Sequence, residues 1–171
     1  MRIIFLDIDG VLVVGDDPAC FKDMALIDGE HLHHFHRSCV DALNHITDTT
    51  GAKLVMSSTW RGSHNFEVLK KHLIAEGVTG ELIDKTPILR DREAFSVDRG
   101  IEIQCWLSRH DHEDIESFVI LDDDGDMAHL ISKLVKTCFR DWDKTGKETG
   151  LTMEHAKEAI KLLEVENVPN N

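Results

Sequence analysis

Arg2-Ile3-Ile4-Phe5-Leu6-Asp7-Ile8-Asp9-Gly10-Val11-Leu12 decides how the rest of the chain is read. A short apolar run stops at two carboxylates separated by one residue, and a glycine follows. In an extended strand alternate side chains share a face, so Asp7 and Asp9 point to one side and Ile8 to the other. Gly10 lets the chain turn at once beyond them. Acids at the end of a buried strand are costly unless they hold a cation or take part in chemistry. The segment therefore predicts a buried strand with a reactive end, and it marks the chain as an enzyme candidate.

Outward from this strand, further apolar runs of strand length occur at residues 54–56, 118–121 and 134–138, with a weaker one at 81–83. Helical spacing lies between them. Val40, Leu43 and Ile46 form one set; Phe66, Leu69, Leu73 and Ile74 form another, with Gly77 as a stop. Ile101, Ile103, Trp106 and Leu107 form a third, and Met127, Leu130 and Leu134 a shorter fourth. Thr152 and Glu154 before Ala156, Ile160 and Leu163 read as a capped last helix. Strands alternating with helices predict an α/β fold of three layers, a parallel sheet of about five strands with helices on both faces. Residues 14–30 and 85–98 read as irregular loops bordering a site. One domain over residues 1–165 is expected, with a frayed tail at 166–171.

At 171 residues the chain can bury one sizeable core. A net charge of -13 opposes nonspecific attraction to nucleic acid or anionic membranes. A phosphorylated substrate remains compatible, because a divalent cation and a few basic side chains can reverse the local field. No apolar stretch reaches membrane-spanning length, and the first run is too short for a secretory leader. A cytoplasmic location is the expectation. Cys20, Cys39, Cys105 and Cys138 are widely spaced with no CxxC pair, which reads as reduced thiols in or near the core. His31, His33, His34 and His36 match no zinc spacing and read as a polar loop and helix start.

Ligands of parallel sheets sit beyond the carboxyl ends of the strands. There this chain places Asp7 and Asp9, then Ser57-Ser58-Thr59, then Asp122-Asp123-Asp124. Together with a basic residue opening a later helix, Arg99, these clusters resemble the haloacid dehalogenase-like (HAD) phosphohydrolase superfamily. More narrowly, Ser57-Ser58-Thr59-Trp60-Arg61, Arg99-Gly100-Ile101-Glu102-Ile103 with Trp106-Leu107, Leu121-Asp122-Asp123-Asp124 and Gly150-Leu151-Thr152 resemble HAD domains associated with RNA-repair proteins. The resemblance spans nearly the whole chain. It implies a Rossmann-like sandwich with strand order 5-4-1-2-3. No gap between elements has room for a large cap domain.

The resemblance implies a role for each group. Asp7 is the nucleophile, since a carboxylate attacks phosphorus without a separate base. Mg2+ is the implied cofactor, held by an Asp7 side-chain oxygen, the Asp9 backbone carbonyl and either Asp122 or Asp123. Asp126 supports the ion's surroundings. Asp9 is the general acid and then the general base. Ser57, with Ser58 as the alternative, binds a phosphoryl oxygen. Arg99 holds nucleophile and phosphate in register, with Lys85 and Arg92 as competitors. Arg61, with Trp60, either grips a second phosphate or stacks on a base, and the competing reading packs Trp60 beside the sheet. The implied function is Mg2+-dependent phosphatase action on a phosphorylated substrate, a nucleotide or a nucleic-acid terminus. Two alternatives stand beside it: a small-metabolite phosphatase, and a non-catalytic receiver-like module with an acidic pocket. Against the receiver stands the acid pair on the strand of the nucleophile, and Lys136 inside the last strand rather than at its end. The oligomeric state is left open.

Overall fold

Alternating apolar strands and amphipathic helices assemble into an α/β/α sandwich in the computed structural model, which describes residues 1–90, 96–111 and 113–164. In chain order the elements are β1 (Arg2–Leu6), α1 (Ala19–Lys22), β2 (Ala25–Ile27), β3 (Glu30–Leu32), α2 (Arg37–Thr50), β4 (Lys53–Met56), α3 (Trp60–Ser63) and α4 (Phe66–Ala75). Then come β5 (Leu82–Lys85), α5 (Arg99–Arg109), β6 (Ser117–Asp122), a 3-10 helix (Ala128–Lys133), β7 (Leu134–Lys136) and α6 (Met153–Glu164). Arg92, His112 and the tail at 166–171 lie outside the described residues.

The main sheet has five parallel strands in the order β5-β4-β1-β6-β7. Numbered by their appearance within that sheet, the strands run 5-4-1-2-3 from the β7 edge, as expected. Strand alternation divides the core between two faces. Ile4, Leu6, Leu54, Met56, Val119 and Leu121 face one side, against apolar residues of α2, α4 and α6. Ile3, Phe5, Val55 and Ile120 face the other, against Ile103 and Trp106 of α5 and Leu130 of the 3-10 helix. Phe5 and Trp106 meet edge to face with centroids 5.4 Å apart, a favoured aromatic geometry. Thr152 caps α6, its Oγ1 accepting from the His155 N–H at 3.2 Å.

Four expectations need correction. Residues 14–30 are not an irregular loop: α1 and strand β2 lie there, and β2 pairs antiparallel with β3 in a separate ribbon. Asp28 (φ 50°) and Gly29 (φ 88°) form its turn, the left-handed pair that a two-residue hairpin demands. The histidine segment begins as β3 rather than as loop alone. Met127, Leu130 and Leu134 do not share a helix, because Leu134 is drawn into the sheet opposite Ile120. Strand β7 stops at Lys136, so this lysine ends the strand rather than lying within it. The contrast with receiver modules then rests on the acids alone. The four cysteines are free, Cys20 and Cys39 buried and the others half-buried.

Candidate active site

The sheet order puts β4 and β6 on either side of β1, and register does the rest. Leu6 pairs with Met56 on one side and Leu121 on the other. The next residues, Asp7, Ser57 and Asp122, therefore emerge side by side at the carboxyl edge. Backbone bonds fix that line: Ser57 N–H donates to the Leu6 carbonyl at 2.9 Å, and Asp7 N–H to the Leu121 carbonyl at 3.0 Å.

Beyond Asp7 the chain curls tightly. Leu12 and Val13 N–H groups both donate to the Ile8 carbonyl, at 2.8 and 3.0 Å, and Gly10 N–H donates to Val13. Gly10 has φ +80°, and a Cβ there would lie 2.3 Å from the Asp123 side chain. Glycine is needed twice over, for the turn and for the approach of Asp123. Thr137 Oγ1 donates to the Gly10 carbonyl at 2.6 Å and ties the curl to the segment after β7.

Carboxylate oxygens of Asp7, Asp122 and Asp123 come within 4.8 Å of one another. Among the described residues this is the one group of acids, histidines or cysteines so disposed. Arg99, at the start of α5, reaches into it: one guanidinium nitrogen, Nη1, lies 2.9 Å from Asp7 Oδ2 and 2.7 Å from Asp122 Oδ2. Asp126 holds the same helix start, accepting from Arg99 N–H at 3.1 Å through Oδ2. Its other oxygen is buried with no partner.

Crowding and burial set the electrostatics. Desolvation, and then repulsion from Asp7, push the Asp122 carboxyl up to about 8, with Arg99 opposing. Asp123 is raised by the same two causes in the same order. For Arg99, burial acts to weaken the charge, but Asp7 and Asp122 outweigh it and hold the guanidinium above its ordinary value. Desolvation also raises Asp9.

Ser57 is fully buried, and among the described residues its hydroxyl has no hydrogen-bond partner. Ser58, equally buried, accepts a long 3.4 Å bond from Trp60 N–H. Arg61 is 5% exposed and lies in the wall of a cavity of about 420 Å³ that Thr59, Arg99, Glu102 and Asp126 also line. Its Nη1 donates to the Ser57 and Ser58 carbonyls, each at 2.6 Å, and its Nε to the Thr86 carbonyl at 3.2 Å. Its Nη2 pairs with the buried Glu102 of α5. Burial lowers the Arg61 pKa, and Glu102 counters. Arg61 thus fastens the serine loop to the helix that carries Arg99. Lys85 Nζ donates to the Arg61 carbonyl at 3.1 Å.

Trp60 packs in rather than out, the reading that the sequence left in competition. The residue is 8% exposed, and its ring lies near His72, Phe35, His64 and His33. Its indole N–H donates to Asp9 Oδ2 at 2.9 Å. Asp9 opens onto a cleft of about 330 Å³ between the β2–β3 ribbon and α3, lined by Met24, His31, His33, Thr59 and His64 among others. Sequence reasoning missed Glu102, Thr137 and this ribbon; the Asp28-Gly29 pair was the available signal for the last.

The family model for the HAD domain in Swiss Army Knife RNA repair proteins matches residues 3–156. No curated protein matches the sequence. The solved HAD domain of effector protein Lem4 from Legionella pneumophila aligns over 95% of this chain and 95% of its own, with TM-score 0.53 and 18% identity. An inactive mutant of that domain aligns with TM-score 0.53 and 17% identity, covering 95% of this chain and 94% of its own. At such identities the likeness speaks for the fold.

Proposed function

This chain belongs to the family of HAD domains found in Swiss Army Knife RNA repair proteins, and on that footing we propose that it is a Mg2+-dependent phosphatase. It cleaves phosphate monoesters through an aspartyl-phosphate on Asp7. The observation that carries the reading is the meeting of Asp7, Asp122 and Asp123 within 4.8 Å, beside an arginine that bridges the first two.

The donor set fits the ion. All three groups are carboxylates, the hard oxygen ligands that Mg2+ takes, with no imidazole or thiolate among them. Asp7, Asp122 and Asp123 would hold it, with the Asp9 carbonyl as the backbone ligand. When bound, it offsets the negative charge that gathers as one anion attacks another.

The chain's own groups do the rest. The Asp7 carboxylate attacks phosphorus, and Arg99 holds that carboxylate in place. Ser57, whose buried hydroxyl lacks a partner, donates to a phosphoryl oxygen. Asp9 gives its proton to the leaving oxygen, then takes one from the water that cleaves the Asp7 phosphate. Burial already raises Asp9 toward the protonated state that the first step needs. The family points to a nucleotide or a nucleic-acid terminus as the substrate, recognised through a few contacts rather than through bulk charge.

A panel of phosphorylated compounds, with 3′- and 5′-phosphorylated oligonucleotides among them, tests this in Mg2+. Turnover is expected, to be lost in Asp7→Asn and reversibly lost with EDTA. Wild-type rates in Asp7→Asn would overturn the assignment.

A further inference from the structure

We propose that Trp60 is a positioning residue that assigns the catalytic proton to one oxygen of Asp9. The inference rests on the acid–base role given to Asp9 above, and goes beyond it.

The Trp60 indole N–H donates to Asp9 Oδ2 at 2.9 Å. Among the described residues, no other side-chain hydrogen bond or ion pair to this carboxylate is seen. An indole nitrogen is a donor only, and it does not titrate. Oδ2 must therefore accept in both halves of the reaction, and in a protonated carboxyl the carbonyl oxygen is a better acceptor than the hydroxyl oxygen. When Asp9 is protonated the proton sits on Oδ1. That oxygen hands it to the leaving alkoxide, and the same oxygen later takes a proton from water. The carboxyl cannot rotate to exchange its oxygens without giving up the indole bond.

The indole is itself held. Trp60 is 8% exposed, and its ring lies near-parallel to His72 at a centroid distance of 6.1 Å and tilts against His64 at 5.5 Å. His72 in turn is bound through Nε2 to the His33 carbonyl at 2.9 Å. Trp60 also opens α3 directly after the Ser57-Ser58-Thr59 turn. The donor that aims the acid and the hydroxyl that binds the phosphoryl group thus lie on one short stretch of backbone. A neutral N–H fixes the orientation of the carboxyl without adding a charge to the site.

The test uses leaving groups of different basicity. p-Nitrophenyl phosphate expels a stable phenolate and needs little proton donation; an alkyl phosphate such as glycerol phosphate needs it fully. The readout is kcat/KM, which covers the steps up to phosphoenzyme formation, for wild type and Trp60→Phe with Mg2+. We expect the alkyl ester to lose about 10- to 100-fold, and the nitrophenyl ester less than about 3-fold. Benzothienylalanine at position 60, which keeps the indole shape without the N–H, should reproduce the same selectivity and guards against a packing defect in the phenylalanine variant. Equal losses on both esters in both variants, or no loss in either, would overturn the proposal while leaving the phosphatase reading intact. A wild-type protein that turns over neither ester would overturn both.

Discussion

Arg61→Met should destabilise this protein far more than loss of a surface arginine. The substitution leaves Glu102 buried at 6% exposure without its charge partner. Breaking a buried pair by removing one member costs about 3–5 kcal/mol. The Ser57, Ser58, Thr86 and Pro87 carbonyls also lose a donor. These losses are not additive with the first, so the range is kept. For a chain of this length each kcal/mol moves Tm by roughly 2–4 °C, which gives a fall of roughly 6–20 °C. Urea unfolding followed by tryptophan fluorescence measures it. Arg61→Met/Glu102→Leu replaces the whole pair by apolar groups and should recover about 2 kcal/mol or more relative to Arg61→Met. Activity should not recover with it, because the serine loop is still untied from α5. A loss under about 1 kcal/mol in Arg61→Met, or a double variant as unstable as the sum of the singles, would refute the account of Arg61 as a buried clamp.

Further outcomes follow from the crowded acids and the curl. Asp122 is raised in the fold to about 8, above its ordinary value, so the folded state binds more protons than the unfolded one in the window between. Metal-free stability should therefore fall as pH rises through that window, and Mg2+ should raise Tm more at pH 8 than at pH 5. Thermal melts at both values check it, and an equal Mg2+ shift at the two would contradict it. Gly10→Ala sets a Cβ 2.3 Å from the Asp123 side chain at a left-handed φ; we expect about 1–3 kcal/mol of lost stability and at least tenfold weaker Mg2+ activation in a titration of activity. Unchanged Mg2+ dependence would show that Asp123 is not needed near that turn.

Much of the fold was readable because its signals are local. Residues 3–6 carry the strand pattern, and Asp7, Asp9, Asp122 and Asp123 announce where the strands end. The site clusters were legible for the same reason, since a parallel sheet gathers its strand ends along one edge. What was not legible depends on partners far along the chain. Arginine is ordinarily an exposed residue; nothing beside Arg61 says that Thr86, Pro87 and Glu102 will surround it. The bond from the Trp60 indole to Asp9 was not legible, because the two residues are 51 positions apart in the chain. Strands β2 and β3 are three residues each, too short for alternation to stand out. Leu134 has helical spacing from Met127, yet pairing with Ile120 decides its conformation.

No strand of the five-stranded sheet is a hairpin partner of its neighbour: β1 lies between β4, from the first third of the chain, and β6, from the last third. During synthesis the first strand can pair with β4 once about a third of the chain is made, but its other edge must wait for β6. Such long-range topology folds slowly, and the waiting strand is open to wrong partners, a natural target for chaperones. Asp7 and Asp122 become neighbours only when that late strand docks, so the cluster of acids at the carboxyl edge cannot form before the last third of the chain is in place.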